Sequence, residues 1–388
     1  MMPEPGSHDC DVCPSRRPRV TFSQRGAGSR WSPVNEQGLR ILALNSLDAR
    51  YGSTYRFRAL IDLLRIEGHA VHAVEGRGSA WHRLLRAGLA ALGSYDLLFT
   101  QKFNPVTLTA MAIARARAKP VLVDWDDFDP GLQGTTLKRW LSEACERLGP
   151  FLATTITTHS EPIRVRATTL GRNAHLVPQG YDDTLFFSDD RRREEARVRY
   201  GFGAKDRVVG HLCTLTHGGT LDLPTILDAW QEIRDPRVRF MLIGGGPLEA
   251  EVRRALEHRG LRERTTMTGL LPHEHVPDAL RCLDVGVVFM SDTPANRARI
   301  SFKVIEYLAV GVPVVGHVVG ETARLFGRFV VATDRARLAS AIVQCLEQPP
   351  RDALPWEVRN VLQHCTWQRS REALARAVAS TGVGASCA

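Results

Sequence analysis

The stretch from 301 to 315 reads Ser301-Phe302-Lys303-Val304-Ile305-Glu306-Tyr307-Leu308-Ala309-Val310-Gly311-Val312-Pro313-Val314-Val315. We predict a helix over 302–310 and a strand over 312–316 from this pattern. The short apolar run after Gly311 is typical of a buried parallel strand. A helix that leads directly into such a strand is the repeating unit of α/β proteins.

The same alternation of helix and strand extends along the whole chain. In the second half the other predicted strands cover 208–212, 238–243, 265–267 and 285–290, and the other helices cover 223–233, 247–259, 276–282, 335–347 and 367–379. In the first half the strands cover 39–45, 71–74, 95–100, 120–124, 151–157 and 174–177, and the helices cover 54–67, 81–92, 106–118, 137–148 and 161–170. Alternation implies parallel pairing through right-handed crossovers. The predicted class is therefore α/β, with two Rossmann-like doubly wound parallel-sheet domains that face each other across a cleft.

The charged segment 186–206 marks the predicted boundary between these domains. We predict a disordered tail over 1–38, an N-terminal domain over 39–185, a C-terminal domain over 186–365, a final helix over 366–380 and a tail over 381–388. In open α/β sheets, ligands bind at the carboxyl ends of the strands. The cleft is therefore the place to look for a site.

Composition argues against several classes of protein. No apolar run approaches the roughly 18 to 20 residues of a membrane-spanning helix. Residues 1–34 are polar and Arg-rich, without the apolar stretch of a signal peptide. The eight cysteines are scattered, and Cys10 and Cys13 form only one closely spaced pair, so we predict no metal site. We predict a cytoplasmic protein.

The net charge of +9 comes almost entirely from dispersed arginines. Because no cluster of aromatic and basic residues accompanies them, we predict no nucleic-acid partner. The apolar run 81–92 is interrupted by Arg83 and Arg86. That pattern leaves a weak peripheral contact with the inner membrane surface open as an alternative to a purely solvated surface.

Lys303 and Glu306 are the first candidates for a binding site. They lie three residues apart, so they share one face of the predicted helix. They also lie in its first turns, where backbone N–H groups favour anions. A diphosphate docked near Ser301 and Phe302 could meet those groups and Lys303, while Glu306 accepts hydrogen bonds from a ribose diol. The alternative is a local ion pair worth about 0.2–0.5 kcal/mol.

Glycines follow two of the predicted strands. The turn Gly244-Gly245-Gly246-Pro247 opens a helix in the second half, and Gly52-Ser53-Thr54 lies at the first strand–helix turn. Both turns could present backbone N–H groups to a ligand. An ordinary turn with an N-cap serine is the alternative.

Carboxylates end the fourth predicted strand, in Asp124-Trp125-Asp126-Asp127-Phe128-Asp129. Burying them is costly unless something uses them. Asp126 and Asp127 are therefore candidates for binding sugar hydroxyls, for proton transfer or for holding a divalent cation. A solvated acidic loop is the alternative.

Two histidines and two arginines complete the set of candidates. His159 and His217 each follow a predicted strand and could donate to a phosphate or a sugar, although a structural histidine is commoner. Arg297 and Arg299 precede the helix 302–310 and could contact phosphate. A solvated loop is the alternative for both arginines.

Taken in order, these motifs resemble the family-4 type of GT-B glycosyltransferase. Residues 301–315 resemble that family's nucleotide-binding helix and the strand after it. Five other stretches fit from about 39 to 379: the interdomain segment 177–186, the glycine turn 244–247, the donor-base loop 268–272, the strand 284–290, and Thr366-Trp367 at the start of a helix that crosses back to the first domain. The resemblance implies a nucleotide-diphosphate sugar donor in the C-terminal domain, an acceptor in the N-terminal domain, retention of anomeric configuration and no tightly bound cofactor or metal.

Carried over position by position, the resemblance assigns roles to named residues. Glu306 would hold the ribose and Lys303 the diphosphate. The remaining donor-binding residues would be Gly52, Ser53, His217, Gly245, Gly246, Leu270, Arg299, Ser301 and Phe302. Lys303, Glu306, Asp126 and Asp127 form the candidate catalytic set.

The chain departs from the family pattern at two places. The first glutamate of the family's E-x7-E pair, which touches the donor sugar, is Ala298 here. Many relatives place an Arg and a Lys that bind phosphate after the first strand of the second domain. Both are absent from residues 213–222 of this chain. His217, Arg297 or Arg299 could bind the phosphate instead. The predicted function is a retaining glycosyltransferase with an unidentified acceptor. The alternative is a non-catalytic GT-B-like partner protein.

Overall fold

Two six-stranded parallel sheets form the framework of the protein. The computed structural model describes residues 38–46, 54–348 and 355–383. The predicted tails 1–38 and 381–388 lie almost entirely outside these ranges and stay predictions. The predicted fold class, α/β with two doubly wound parallel-sheet domains, is confirmed.

The first sheet has the strand order β2-β1-β3-β4-β5-β6. Its strands are β1 (Arg40–Leu44), β2 (Ala70–Val74), β3 (Leu97–Gln101), β4 (Val121–Asp124), β5 (Thr155–Thr158) and β6 (Asn173–Leu176). The connecting helices are α1 (Tyr55–Ile66), α2 (Ala80–Ala91), α3 (Pro105–Ala116), α4 (Thr136–Leu152) and α5 (Glu161–Thr169). The four central strands, β1, β3, β4 and β5, are buried along most of their length, as expected for a sheet covered on both faces.

The second sheet has the order β12-β11-β10-β7-β8-β9. Its strands are β7 (Arg207–Leu212), β8 (Val238–Ile243), β9 (Thr265–Met267), β10 (Val285–Phe289), β11 (Val314–His317) and β12 (Val330–Ala332). The helices are α6 (Asp190–Arg199), α7 (Leu223–Glu232), α8 (Glu249–His258), α9 (Val276–Arg281), α10 (Pro294–Ala298), α11 (Phe302–Ala309), α12 (Gly320–Phe326), α13 (Leu338–Glu347), α14 (Trp356–Gln363) and α15 (Trp367–Ala379). In each sheet the strand order reverses beside the strand that comes first in the sequence, β1 in one sheet and β7 in the other. Such a reversal opens a crevice at the carboxyl edge of the sheet.

Local predictions were wrong where tertiary contacts override the sequence pattern. The strand predicted over 151–157 begins only at Thr155, because α4 continues to Leu152. The charged boundary segment contains α6, whose amino end is capped by the Asp189 carboxylate accepting from the Arg192 N–H at 2.9 Å. Two arginines of α6, Arg193 and Arg197, then pair with Asp284 at 2.6 and 3.2 Å. Partners this distant in sequence are invisible to a local pattern.

A buried ion pair fixes α1 to the carboxyl edge of the first sheet. The Arg56 guanidinium donates to both carboxylate oxygens of Asp124 at 2.8 and 2.9 Å. It also donates to the backbone oxygens of Val177 and Pro178 at 3.0 and 3.1 Å. These bonds satisfy the buried charges, and they hold the start of α1 and the interdomain segment together beside the cleft.

Helix α15 packs against the first domain. The Trp367 indole donates to the Tyr55 hydroxyl at 3.2 Å, and the Ser370 hydroxyl donates to the Pro178 oxygen at 2.8 Å. A Cβ on Gly180 would lie 2.5 Å from the Trp367 ring, so only glycine allows this close approach. The chain thus returns to the first domain at its carboxyl end.

Candidate active site

The amino end of α11 is not capped by a side chain. Ser301 stands at the N-cap position, but its hydroxyl accepts no hydrogen bond from the helix. The Ser301 backbone N–H donates to the Thr322 hydroxyl at 3.0 Å, which holds the start of α11 against α12. The first N–H groups of a helix have no partner within the helix and carry a partial positive charge. This end of α11 can therefore receive an anion.

Lys303 is the second residue of α11 and has no anionic partner among the described residues. Its ammonium forms neither an ion pair nor a hydrogen bond with any described residue. Burial lowers the pKa of Lys303, and the nearby Arg299 acts in the same direction. A desolvated cation without a partner is unfavourable, so this site gains stability when an anion binds.

Glu306 follows on the same face of α11 and is also unpaired. Its residue is only 6% exposed, and its carboxylate makes no hydrogen bond or ion pair with a described residue. Burial raises the pKa of Glu306 to about 8, although the charge of Lys303 acts to lower it. The local Lys303–Glu306 ion pair, which was the alternative from sequence, is absent because the two groups are more than 4 Å apart.

Glu306 lies close enough to the first domain to act on it electrostatically. The pKa of the Tyr55 phenol is raised well above its usual value, mainly by burial and further by the charges of Asp182 and Glu306. The Phe302 ring packs beside Tyr55 and Trp367, with ring centroids 5.8 and 6.5 Å away. The face of α11 that carries Phe302 is thus directed toward Tyr55 of the first domain, and Glu306 lies one turn further along the helix.

Lys303 lines a small cavity beside the amino end of α11. The predicted residues Arg299 and Ser301 also line it. The wall includes three polar residues that sequence reasoning missed: His211, Asp222 and Asn296. Asp222 follows β7 along the chain, so the rule that ligands bind at strand ends could have found it.

Asp222 holds a fixed position in this wall. It occupies the N-cap position of α7, but its side chain does not cap that helix. Its carboxylate instead accepts from the Ser291 N–H at 3.2 Å, from the Ser291 hydroxyl and from the Asn296 amide at 3.5 Å. It acts on Lys303 electrostatically, raising the pKa that burial lowers. A carboxylate therefore faces the cavity although position 298 is alanine.

Arg299 links the two sides of the cleft. Its half-buried guanidinium makes no hydrogen bond with a described residue. Its charge acts on Lys303 in the second domain, and on Asp127 and His159 in the first. Arg297, by contrast, is exposed and pairs with Asp292 at 2.5 Å. Of the two arginines, Arg299 is the one available to an anion.

The carboxylates after β4 have partners inside the protein. Lys102 Nζ lies 3.6, 3.1 and 2.8 Å from Asp126, Asp127 and Asp129. Asp126 also accepts from the Gln101 amide at 2.9 Å. Lys102 is therefore an internal partner for these carboxylates, although its single positive charge cannot balance all three. The catalytic role of Asp126 and Asp127 stays a prediction.

Asp126 and Asp127 nevertheless titrate in opposite directions. Burial raises the pKa of Asp126 well above its usual value. Burial acts on Asp127 too, but the charges of Lys102 and Arg299 lower its pKa. Two neighbouring carboxyls with pKa values displaced in opposite directions are an arrangement suited to proton transfer.

The two candidate histidines have different surroundings. His159 is buried, and its Nε2 accepts from the Ile300 N–H at 3.3 Å, which joins the end of β5 to the loop before α11. Burial lowers the pKa of His159 to about 3, so the ring is neutral. His217 is exposed and lies outside the cavity wall, where a Cβ on Gly134 would be 2.9 Å from its ring. Both contacts join the two domains, and the donor-binding role of His217 stays a prediction.

The glycine turn after β8 packs against backbone. A Cβ on Gly245 would lie 2.4 Å from the Leu270 nitrogen, and a Cβ on Gly244, whose φ is +122°, would lie 2.0 Å from the Cys213 oxygen. These contacts explain the glycines without a ligand. Donor binding by Gly245, Gly246 and Leu270 stays a prediction. Gly52 and Ser53 lie outside the described residues.

Comparison with known proteins gives a family match in the second half of the chain. Residues 206–348 match the family described as Glycosyl transferases group 1. This part of the chain is similar to a group 1 glycosyl transferase domain. It contains β7 to β12 and α11, so the match covers the cavity and both unpaired charges.

Solved structures that are similar to the chain share its two-domain GT-B fold. Anabaena HepE in complex with UDP and glucose superposes with a TM-score of 0.68 and 16% identity, covering 88% of this chain and 100% of HepE. Sucrose-phosphate synthase from Thermosynechococcus elongatus gives a TM-score of 0.69 and 17% identity, covering 87% and 98%. At such identities the likeness establishes the two-domain fold alone.

Curated relatives match over shorter stretches. The 2-deoxystreptamine N-acetyl-D-glucosaminyltransferase of Streptomyces fradiae is 28% identical over 199 residues, which is 50% of this chain and 46% of that protein. The chain spans between 37% and 55% of the lengths of the curated relatives it matches. Every one of these relatives has a sugar-transferring or sugar-phosphate synthase name.

Proposed function

We propose that the protein is a retaining glycosyltransferase that moves a sugar from a nucleotide-diphosphate sugar to an acceptor hydroxyl or amine. One observation carries the proposal: an unpaired cation, Lys303, and an unpaired carboxylate, Glu306, lie on one face of α11 beside its uncapped amino end. A nucleoside diphosphate has the complementary groups, an anionic diphosphate and a ribose diol. An unpaired cation and an unpaired carboxyl on one helix face favour ligand binding here over a purely structural role.

The chemistry assigned to this site is departure of the diphosphate. The anomeric C–O bond breaks, and its electron pair stays on the diphosphate oxygen. Positive charge develops on the sugar ring and negative charge on the leaving group. Lys303, Arg299 and the first N–H groups of α11 stabilise that negative charge, which preorganised dipoles do best where water is excluded.

The acceptor completes the transfer by attacking the sugar from the face that the diphosphate leaves. Its nucleophilic atom forms the new bond to the anomeric carbon, and its proton passes to the departing diphosphate. No enzyme nucleophile is needed, and we propose that no tightly bound metal takes part, since Lys303 and Arg299 supply the cationic charge. The acceptor enters from the first domain, where Asp126 and Asp127 lie at the carboxyl edge of β4.

The place of the protein in the cell stays a prediction. Among the described helices, none has both the length and the apolar character that crossing a membrane requires. A cytoplasmic location with the donor supplied from solution remains the proposal.

A donor panel tests the proposed function. The purified full chain is incubated with UDP-, GDP- and dTDP-sugars, and its melting temperature and the release of nucleoside diphosphate are measured. We expect at least one donor to raise the melting temperature, since a ligand at about 100 Kd adds about 2.7 kcal/mol to stability, and to be hydrolysed slowly. If no donor produces a shift or any release, the non-catalytic partner protein becomes the better account.

Asp222 is the residue that we propose to contact the donor sugar. Its carboxylate is fixed beside the cavity by Ser291 and Asn296. The Asp222→Asn variant keeps the shape but loses the charge, and we expect kcat/KM for the donor to fall about 10-fold, the effect of one charged hydrogen bond of about 1.5 kcal/mol. Steady-state kinetics measure it, with Asp228→Asn on α7 as the control. Equal kinetics for Asp222→Asn and wild type would contradict the assignment.

A further inference from the structure

A row of large apolar side chains is exposed along α2. Trp81, Leu85 and Leu89 recur every fourth residue, and Leu92 follows at the carboxyl end of the helix. Trp81 is 72% exposed, and the three leucines are each more than half exposed. Residues at this spacing lie on one helix face. The face points to solvent rather than into the core, so it has no partner within the described chain.

A second set is exposed along α4. Its members are the exposed residues Leu137, Trp140, Leu141, Leu148 and Phe151. Trp140 is 65% exposed. The sequence pattern of α4 did not single them out, because the same spacing also serves for packing against a core. Their exposure is a finding of the tertiary structure.

The strand order places both sets on one side of the first domain. In the order β2-β1-β3-β4-β5, the connections through α2, α3 and α4 all proceed in one direction. Right-handed crossovers then put these three helices on the same face of the sheet. Helix α3 packs against both α2 and α4 and lies between them. We call the solvent-facing side of α2 and α4 the α2–α4 surface.

This surface reaches the edge of the cleft. Helices in parallel α/β units start at the carboxyl edge of the sheet and run back along it. Trp81 is the second residue of α2, and Leu137 and Trp140 lie in the first turns of α4. The two tryptophans are thus near the carboxyl edge that also carries Asp126 and Asp127.

The fully exposed charged side chains of α2 and α4 are all basic. Arg86, Lys138, Arg139 and Arg147 are exposed, and their side chains form no ion pair with a described residue. Helix α2 contains no acidic residue. On α4, Glu146 is buried and Glu143 is half-buried. Apolar side chains flanked by unpaired cations are complementary to the apolar interior and negative headgroups of an anionic bilayer.

We propose that the α2–α4 surface docks the protein onto an anionic membrane. The two tryptophans and the leucines enter the interface between headgroups and acyl chains, where aromatic rings are favoured. The arginines and Lys138 contact the lipid phosphates. Docking in this orientation brings the carboxyl edge of the first sheet close to the membrane surface. The proposal concerns attachment alone and does not depend on the transfer reaction.

Vesicle sedimentation tests this proposal. The full chain is mixed with vesicles of phosphatidylglycerol and phosphatidylcholine, or with phosphatidylcholine alone, and the bound fraction is measured after centrifugation. We expect strong binding to the anionic vesicles and at least tenfold weaker binding to the neutral ones. The double variant Trp81→Glu, Trp140→Glu should reduce binding to anionic vesicles more than tenfold. Removing Arg86 or Lys138 should weaken it about fivefold each at low salt.

Matched controls separate docking from misfolding and from catalysis. Trp356, which is 64% exposed on α14, provides the control variant Trp356→Glu, and its binding should match wild type. Circular dichroism and donor release without vesicles should be unchanged in the double variant. No sedimentation of wild type, or equal sedimentation of wild type and the double variant, would overturn the proposal. So would a wild-type dimer that the double variant converts to a monomer, because the surface would then bind a second copy of the chain.

Discussion

Replacing Lys303 by methionine is expected to lower kcat about 10²- to 10³-fold, the effect of removing one preorganised group that stabilises a developing anion. Methionine keeps the length and apolar stem of the side chain, so the packing around α11 is maintained. The donor KM should change much less, since the charge on the leaving group grows only as the bond breaks.

Steady-state donor hydrolysis or transfer measures this effect. The matched control is Lys205→Met, which removes an exposed lysine far along the chain from the site and should leave kcat unchanged. Because burial lowers the pKa of Lys303 in the unliganded protein, we also expect the variant to be at least as stable as wild type. A variant with wild-type kcat would remove Lys303 from the leaving-group role.

Replacing Glu306 by glutamine is expected to act on binding and stability in opposite directions. The variant retains a hydrogen-bonding side chain but loses the negative charge that accepts from the ribose diol. A hydrogen bond to a charged group contributes about 1.5–3 kcal/mol, so the donor KM should rise about 10- to 100-fold. Isothermal titration with the nucleoside diphosphate measures the same loss as a change in Kd.

Stability should respond with a distinct pH dependence. The pKa of Glu306 in the folded protein is about 8, above the ordinary value of 4.5 for a glutamate. The folded state therefore holds its proton more tightly than the unfolded state, so this group destabilises the fold progressively as the pH rises from about 4.5 to 8. The shift corresponds to at most about 5 kcal/mol. The Glu306→Gln variant should melt near wild type at pH 5 and well above it at pH 9.

The exposed Glu232→Gln serves as the control, and it should show neither effect. Equal melting curves for wild type and Glu306→Gln at pH 9, together with an unchanged donor KM, would contradict both the raised pKa and the ribose-binding role. A gain in stability with loss of binding is expected when a side chain is kept for function against its own folding energetics.

The site lies where the two domains meet, and this placement affects catalysis. His159 accepts from the Ile300 N–H at 3.3 Å, and the Glu321 carboxylate accepts from the Glu161 N–H at 3.4 Å. Both bonds join the first domain to segments that flank the amino end of α11. These contacts therefore fix the amino end of α11 relative to the carboxyl edge of the first sheet.

Some of the candidate site could be predicted from sequence because its geometry is local. Lys303 and Glu306 are three residues apart, and helical spacing alone puts them on one face. Asp222 was missed because it acts on Lys303 from a position about 80 residues away along the chain. Lys102 was missed for a similar reason: it approaches Asp126, Asp127 and Asp129 from the end of the neighbouring strand β3.

The alternation of apolar strands with helical segments was enough to determine the α/β class and the two parallel sheets, since right-handed crossovers leave few other arrangements. Local spacing likewise determined the shared face of Lys303 and Glu306. Only the tertiary structure decided which charges remain unpaired, because ion pairs such as Arg56 with Asp124 form between residues distant in sequence. It also decided which apolar residues of α2 and α4 face solvent, because burial depends on the neighbouring element and is not encoded in the spacing of a single helix.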